Sequence, residues 1–159
     1  MDVNPSSLVD ILTLRYDPTI IPNLPKKNYQ DFNPIETVPD IQKYEDSICN
    51  ELKNKIETST NNISIALSGG VDSALVLSLL RKINPEKQID AISIKFANSV
   101  DETPIAAKLA EKFHATHHIV NLENYLSELP KAISIVKLPF WDLHWYYVVK
   151  KAKTLSSIL

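Results

Sequence analysis

The stretch ISIALSGGVDS, residues 63–73, decides the fold of this chain. Its first five residues are a short apolar run, which is typical of a buried strand. Gly69 and Gly70 follow, and they are the only two glycines of the chain. Residues 72–83, DSALVLSLLRKI, then have the apolar spacing of a helix, and Asn84 with Pro85 ends it. The sequence therefore predicts a strand over 63–67, a tight turn and a helix.

A strand that turns directly into a helix predicts an anion site. The first N–H groups of a helix have no partner inside it, and the helix dipole favours negative charge there. Gly69 and Gly70 allow several backbone amides to converge on one phosphate, and Ser68 and Ser73 add hydroxyl donors. A carboxylate beside phosphate is repulsive unless a cation lies between them. Asp72 is therefore predicted to be a magnesium ligand.

Strands and helices alternate along the rest of the chain. An amphipathic helix with Asp40 as its N-cap is predicted from the spacing of Ile41, Tyr44, Ile48, Leu52 and Ile56. Further strands are predicted over 89–96 and 116–122, and further helices over 101–113 (capped by Asp101), 123–136 and 142–155. This order predicts the α/β class, with a parallel sheet that carries helices on both faces.

The first 38 residues differ from the remainder. Six of the ten prolines occur before residue 41, at positions 5, 18, 22, 25, 34 and 39. This density argues against a long helix or a central strand. Residues 1–38 are interpreted as an extended lead or linker segment, and residues 39–159 as one domain.

The composition of the chain limits which binding partners and which cellular compartment are expected. A net charge of −2 gives no reason to expect nucleic acid or an anionic membrane as partner. Cys49 is the only cysteine, so no internal disulfide can form and a reducing compartment is expected. No apolar stretch approaches the roughly 20 residues that span a bilayer. We expect a soluble, cytoplasmic protein that binds neither nucleic acid nor membranes.

Residues 68–73, SGGVDS, resemble the SGGxDS signature of the PP-loop ATP pyrophosphatases. Those enzymes cleave ATP between its α and β phosphates, adenylate a substrate oxygen and hold the departing pyrophosphate on this loop. Neither a Walker A loop nor a G-x-G-x-x-G fingerprint occurs in the chain. The resemblance implies an adenine-nucleotide alpha-hydrolase-like fold.

Within that superfamily, the later segments are similar to the asparagine-synthetase pattern. They are SIKF at 93–96, the acidic pair Asp101-Glu102, ATHH at 115–118 and LPFWD at 138–142, and the lead LTLRYDP resembles that family's linker. The resemblance implies ATP and Mg²⁺ as cofactors, with aspartate and ammonia as substrates. The aspartate side chain would attack the α-phosphorus to give β-aspartyl-AMP, and ammonia would then displace AMP.

Residue roles follow from the same resemblance. The pyrophosphate would be held by Ser68, Gly69, Gly70 and Ser73, and Mg²⁺ by Asp72. Leu67 and Ile94 would lie near adenosine, and Asp101 near the phosphates or the metal. The resemblance thus implies Asp72 and Asp101 as the catalytic residues. The departures from the pattern are Lys95 in place of a glycine and Ile119 in place of a glutamate.

Two further departures concern the extent of the chain. Position 2 is Asp where glutamine-dependent members have a catalytic cysteine, and the family's later SGDGxDE loop does not occur before Leu159. The domain therefore reads as incomplete, and weak or no activity is expected from the chain alone. A glutaminase domain or subunit could supply ammonia. The alternatives are a non-catalytic or partner-completed nucleotide-binding module, and another synthetase of the NAD or GMP type.

The adjacent histidines and the two tryptophans are interpreted as structural residues. His117 and His118 point to opposite faces of a strand and cannot readily share a zinc ion. Trp141 and Trp145 lie one helical turn apart and are interpreted as packing the last helix.

Overall fold

The computed structural model describes residues 4–14, 28–31, 38, 40–56, 62–97, 99–137, 142–156 and 158–159. The helices are α1 (Pro5–Leu14), α2 (Ile41–Ile56), α3 (Val71–Ile83), α4 (Thr103–Lys112), α5 (Leu129–Val136) and α6 (Leu143–Ala152). The strands are β1 (Ile63–Ala66), β2 (Ile89–Phe96) and β3 (Thr116–Leu122). Single 3₁₀ turns cover Tyr29–Asp31 and Tyr125–Glu128. Within these ranges no helix is long and apolar enough to cross a bilayer.

The three strands form one parallel sheet in the order β1-β2-β3. Ile63 lies opposite Ile89, and Asp90 lies opposite Thr116. On the other side of β1, Ile158 forms a parallel bridge to Ile63, and the N–H of Ser64 donates to the carbonyl oxygen of Ile158 over 2.9 Å. The chain thus winds outward from β1 through β2 to β3 and returns to the opposite edge of β1.

The two faces of the sheet carry separate cores. One face packs against α2, α3 and α4, and its buried members are Ile56, Ile63, Ile65, Leu67, Leu77, Leu80, Ile89, Ala91, Ala106 and Ala110. On the other face, Ile92 packs against Val148 and Ala152 of α6. Because strand residues alternate between faces, the almost continuously apolar strands β1 and β2 are covered on both sides. The predicted parallel sheet with helices on both faces is confirmed.

The predicted element boundaries agree with the structure for the three strands, apart from Leu67, which lies just beyond the end of β1. The helix predicted over 123–136 is divided. Its first part is the 3₁₀ turn, and α5 begins near Pro130, which stands in the first helical turn. Pro130 lacks an N–H and fixes its own φ, so a helix readily restarts there.

The extended interpretation of the lead is wrong for Pro5–Leu14, which is α1. Pro5 occupies the first helical position, where its missing N–H costs nothing. Asn4 caps the helix, because its Oδ1 accepts from the N–H of Ser6 over 3.0 Å. No proline follows Pro5 until residue 18. The prolines at 18, 22, 25, 34 and 39 lie outside the described residues.

The predicted helix α2 and its cap are confirmed, but its apolar face is only partly covered. Oδ1 of Asp40 accepts from the N–H of Lys43 over 3.1 Å. Cys49 and Ile56 are buried, whereas Ile41 is 78% exposed and Tyr44 is 62% exposed. Cys49 is therefore a core residue, and the C-terminal half of α2 packs against α3 and places Ile56 in the core cluster.

Arg81 joins the helix ends on the side of the sheet away from the strands' carboxyl ends. Its guanidinium donates to five carbonyl oxygens, at 2.8 to 3.1 Å, from Asn84, Pro85, Lys87, Phe113 and His114. These carbonyls belong to the loops that follow α3 and α4. One side chain therefore ties both crossover connections together.

Substitution of Arg81 by methionine should lower the free energy of unfolding by about 2–4 kcal/mol, because several carbonyl groups lose a charged donor at once. Chemical denaturation followed by circular dichroism measures this. The control is Lys82→Met, which removes a neighbouring exposed cation paired with Glu45 and should cost less. Equal effects of the two substitutions would contradict the assigned role of Arg81.

Candidate functional site

The loop between β1 and α3 is held by its own serines. Oγ of Ser68 and Oγ of Ser73 lie 3.0 Å apart, and the N–H of Ser68 donates to Oγ of Ser73 over 3.2 Å. The N–H of Gly70 donates to Oγ of Ser68 over 3.1 Å. Ser68 and Gly70 are exposed. The loop is thus a compact, solvent-facing turn whose hydroxyl groups converge.

The glycines of the loop serve close packing and not a left-handed turn, because neither has a positive φ. Gly70 has φ −83° and ψ 160°, which any residue adopts. A Cβ on Gly69 would lie 3.3 Å from the side chain of Ile105, and one on Gly70 would lie 3.1 Å from Oγ of Ser68. Side chains at these positions would push the loop away from α4 or separate its serines.

The start of α3 offers N–H groups to a ligand. The helix begins at Val71 and Gly70 provides no side-chain cap, so the first turn lacks internal partners for its N–H groups. Asp72 is exposed on this turn. With Ser68 and Ser73 it lines a groove along β1, on the edge that Ile158 bridges. An exposed carboxylate beside converging donors suits Mg²⁺, which takes one or two carboxylates plus phosphate and water oxygens.

A cavity of about 370 Å³ opens beside the loop at the carboxyl ends of β1 and β2. Polar groups at one side come from the loop and from the start of α4, and apolar groups come from the strands and from α6. Its lining residues are Ala66, Leu67, Ser68, Ser73, Ile92, Ser93, Ile94, Phe96, Glu102, Thr103, Ala106, His144, Trp145 and Val148. The volume suits a small organic ligand with one polar end.

The structure brings most predicted site residues together. Leu67, Ser68, Ser73 and Ile94 line the cavity, and Gly69 and Gly70 form the turn beside it. Asp72 lines the adjoining groove. Asp101, predicted to lie near the phosphates or the metal, precedes two cavity residues, Glu102 and Thr103, but is not itself part of the described lining. Its catalytic assignment stays a prediction.

The carboxylate of Asp101 is engaged by its neighbours. Lys95 Nζ lies 2.7 Å from Oδ2, and Oδ1 accepts from the hydroxyl of Thr103 over 2.6 Å and from its N–H over 3.0 Å. The bond from Lys95, followed by the bonds from Thr103, lowers the pKa of Asp101 to about 2. Asp101 therefore caps α4, as predicted, and anchors the lysine at the end of β2.

Several cavity residues were not predicted from the sequence as site residues. They include Phe96, Thr103 and two residues in the first turn of α6, His144 and Trp145. Trp145, interpreted as packing the last helix, is 48% exposed and borders both the cavity and the groove, so only part of its side chain packs against the fold. Helical spacing showed that Trp145 lies on one stripe of α6, but not that α6 returns beside β1. Trp141 lies outside the described residues.

The two adjacent histidines of β3 face opposite sides of the sheet, as predicted. Nε2 of His117 lies 2.8 Å from Oγ of Ser93 on the α4 side. Nε2 of His118 lies 2.8 Å from Oδ1 of the buried Asp90 on the other side. Among the described residues, no cluster of three or more His, Cys, Asp and Glu could hold a metal ion.

Comparison with known proteins gives a family match. The family model described as asparagine synthase matches residues 51–157, which is more than half of the chain. The matched region begins within α2, ends one residue before Ile158, and contains the loop and the whole cavity lining.

Two curated proteins resemble the chain over part of their lengths. An NH3-dependent NAD+ synthetase of Carboxydothermus hydrogenoformans is 35% identical over 79 residues, which is 49% of this chain and 32% of that protein. Glutamine-hydrolyzing asparagine synthetase 1 of Bacillus subtilis is 25% identical over 125 residues, which is 71% of this chain and 20% of that protein. The chain thus spans about a third and a fifth of the lengths of these relatives.

A solved structure shares the fold. The NH3-dependent NAD synthetase of Campylobacter jejuni superposes with a TM-score of 0.55 and 21% identity, covering 76% of this chain and 55% of that one. At this identity the likeness shows the fold alone, and the fold is that of the PP-loop proteins.

Substitution of Asp101 by asparagine should lower stability at neutral pH and leave it nearly unchanged at pH 2. The pKa of Asp101 falls from its ordinary 3.8 to about 2 on folding. Its charge therefore stabilises the folded state above pH 3.8, and this contribution is lost as the pH falls toward 2. Asparagine keeps a capping oxygen but has no charge. Urea unfolding at a series of pH values measures the difference, and a difference independent of pH would contradict the assignment.

Proposed function

The chain belongs to the asparagine synthase family, and on this premise we propose that its cavity binds MgATP and that it adenylates the side-chain carboxylate of aspartate. The observation that carries the proposal is the cavity beside the loop. Two converging serines and an uncapped helix start lie at one side, and Leu67 and Ile94 lie at the apolar side. This polarity suits a nucleotide with its phosphates on the loop and its base against the strand ends.

The loop residues would act by binding charge. Ser68 and Ser73 would turn their hydroxyl groups from each other to phosphate oxygens, and the amides of the first turn of α3 would donate to the same anion. Asp72 would hold Mg²⁺, which neutralises charge on the phosphates. Such an arrangement stabilises a departing pyrophosphate through positioning and electrostatics.

The reaction would have two steps. An aspartate carboxylate oxygen attacks the α-phosphorus, the bond to the bridging oxygen breaks, and pyrophosphate leaves. Ammonia then attacks the mixed anhydride and AMP departs, which leaves the amide. Ammonia would come from solution or from a glutaminase domain or subunit, as the name of the Bacillus subtilis relative suggests.

A second candidate is supported by the relative that makes NAD⁺, with 35% identity over 79 residues. The same loop and cavity would then activate the carboxylate from which the amide of NAD⁺ is made. A third reading is a nucleotide-binding module that needs a partner for catalysis. AMP release with ammonia separates the three: it depends on aspartate in the first case, depends on the nicotinate nucleotide in the second, and is absent despite binding in the third.

Calorimetry with MgATP tests the site itself. Gly70→Val should weaken binding by at least about tenfold, because its Cβ would crowd Oγ of Ser68. Asp72→Ala should weaken binding by a similar factor of about ten and abolish the dependence on Mg²⁺.

Asp46→Ala serves as the matched control, since Asp46 is an exposed carboxylate on α2 that accepts from Gln42. It should bind like the wild type. A folded wild-type chain that does not bind MgATP would overturn the proposed function. An Asp72→Ala variant with an unchanged response to Mg²⁺ would overturn the assignment of the metal ligand alone.

A further inference from the structure

A chain of hydrogen bonds leads from β3 across β2 to the phosphate loop. Nε2 of His117 lies 2.8 Å from Oγ of Ser93, and the same Oγ lies 2.6 Å from the carbonyl oxygen of Leu67. Ser93 is 4% exposed and Leu67 is 2% exposed. Water cannot readily replace these bonds, so the partners of Ser93 are fixed by the protein.

The number of hydrogens on each group determines which partner donates in each of these hydrogen bonds. The carbonyl oxygen of Leu67 can only accept, so the single hydrogen of the Ser93 hydroxyl points to it. Oγ of Ser93 must then accept from His117, which requires a hydrogen on Nε2. Burial lowers the pKa of His117, and repulsion by His118 lowers it further. A neutral ring has one N–H, and the geometry assigns it to Nε2.

The series of hydrogen bonds ends at the Leu67–Ser68 peptide group, which is the first of the loop. The carbonyl oxygen of Leu67 and the N–H of Ser68 belong to the same planar unit. Ser93 holds its oxygen, and Oγ of Ser73 accepts from its N–H over 3.2 Å. The plane is therefore fixed at both ends. Rotation of this peptide would move Ser68 and the N–H of Gly70, which donates to Ser68.

We propose that Ser93 and His117 are positioning residues for the phosphate loop: His117 orients the Ser93 hydroxyl, which fixes the Leu67–Ser68 peptide and with it the donors that face a phosphate. This inference rests on the proposed nucleotide site. His117 acts through Ser93, and Ser93 acts through the backbone, so neither uses its hydrogen on the ligand. Ser93, the first residue of the SIKF segment, thus has a positioning role that its sequence pattern does not reveal.

The tautomer of His117 tests the proposal without any ligand. In the free chain, ¹⁵N NMR of the imidazole ring should show the hydrogen on Nε2 at neutral pH. A hydrogen on Nδ1 would make Nε2 an acceptor, the Ser93 hydroxyl would point to His117, and the proposal would fail. This result is independent of ATP, so it stands even if the chain does not bind nucleotide.

Amide hydrogen exchange in the free chain tests the effect on the loop. Ser93→Ala and His117→Leu should raise exchange at Ser68 and Gly70 by about tenfold, the effect of losing one hydrogen bond. Ser93→Thr and His117→Gln keep a hydroxyl and a donor, and should restore slow exchange. The matched control is Ser78→Ala, since the Ser78 hydroxyl donates only to the carbonyl of Leu75 within α3. Unchanged exchange at the loop in folded Ser93→Ala would overturn the proposal.

Ligand discrimination separates positioning from a general loss of stability. Ser93→Ala should weaken MgATP binding about tenfold in calorimetry and weaken adenosine binding much less, because adenosine carries no phosphate for the loop to hold. Equal loss for both ligands would mean that Ser93 only supports the fold. No binding of MgATP by the wild type would overturn the proposed function, while the tautomer and the exchange data would still decide the role of His117 and Ser93.

Discussion

The site depends on the position of β1 in the sheet. This strand has β2 on one edge and Ile158 on the other, so its carboxyl end is held laterally at both sides. Leu67 leaves the strand buried, and its N–H still donates to Ile92 over 2.8 Å. The loop therefore departs from a fixed point in the interior of the domain. Ligands of open α/β sheets bind where the chain winds away on both sides of one strand, and here that strand is β1.

Charge at this end of the sheet is arranged around an ion pair and not around the loop alone. Lys95 is the penultimate residue of β2 and follows the cavity residue Ile94, and its ammonium group lies 2.7 Å from the carboxylate of Asp101. The pair leaves Asp101 ionised through the physiological range. Lys95 stands where the family pattern has a glycine, and it forms an ion pair with Asp101. Asp101, which the same pattern implies to be catalytic, therefore also has a structural role.

Local signals predicted much of the fold. The apolar runs of the strands and the caps at Asp40 and Asp101 are local, and they were confirmed with small boundary shifts. The serines and glycines of the loop were found because they are contiguous. Ser93 and Trp145 were not predicted as site residues. The contacts of Ser93 depend on the pairing of neighbouring strands, and the position of Trp145 depends on the packing of α6 beside β1. Residue spacing within one segment reveals neither. The prediction of an extended lead was wrong at α1 because a proline such as Pro5 is compatible with the first turn of a helix.

The bridge between Ile63 and Ile158 joins residues far apart in the sequence, and it bears on how the domain is made. Contacts of large sequence separation carry a high loop-closure cost. The loop and both strand ends are synthesised before α6 and Ile158, so the cavity can be complete only after this last segment has been made.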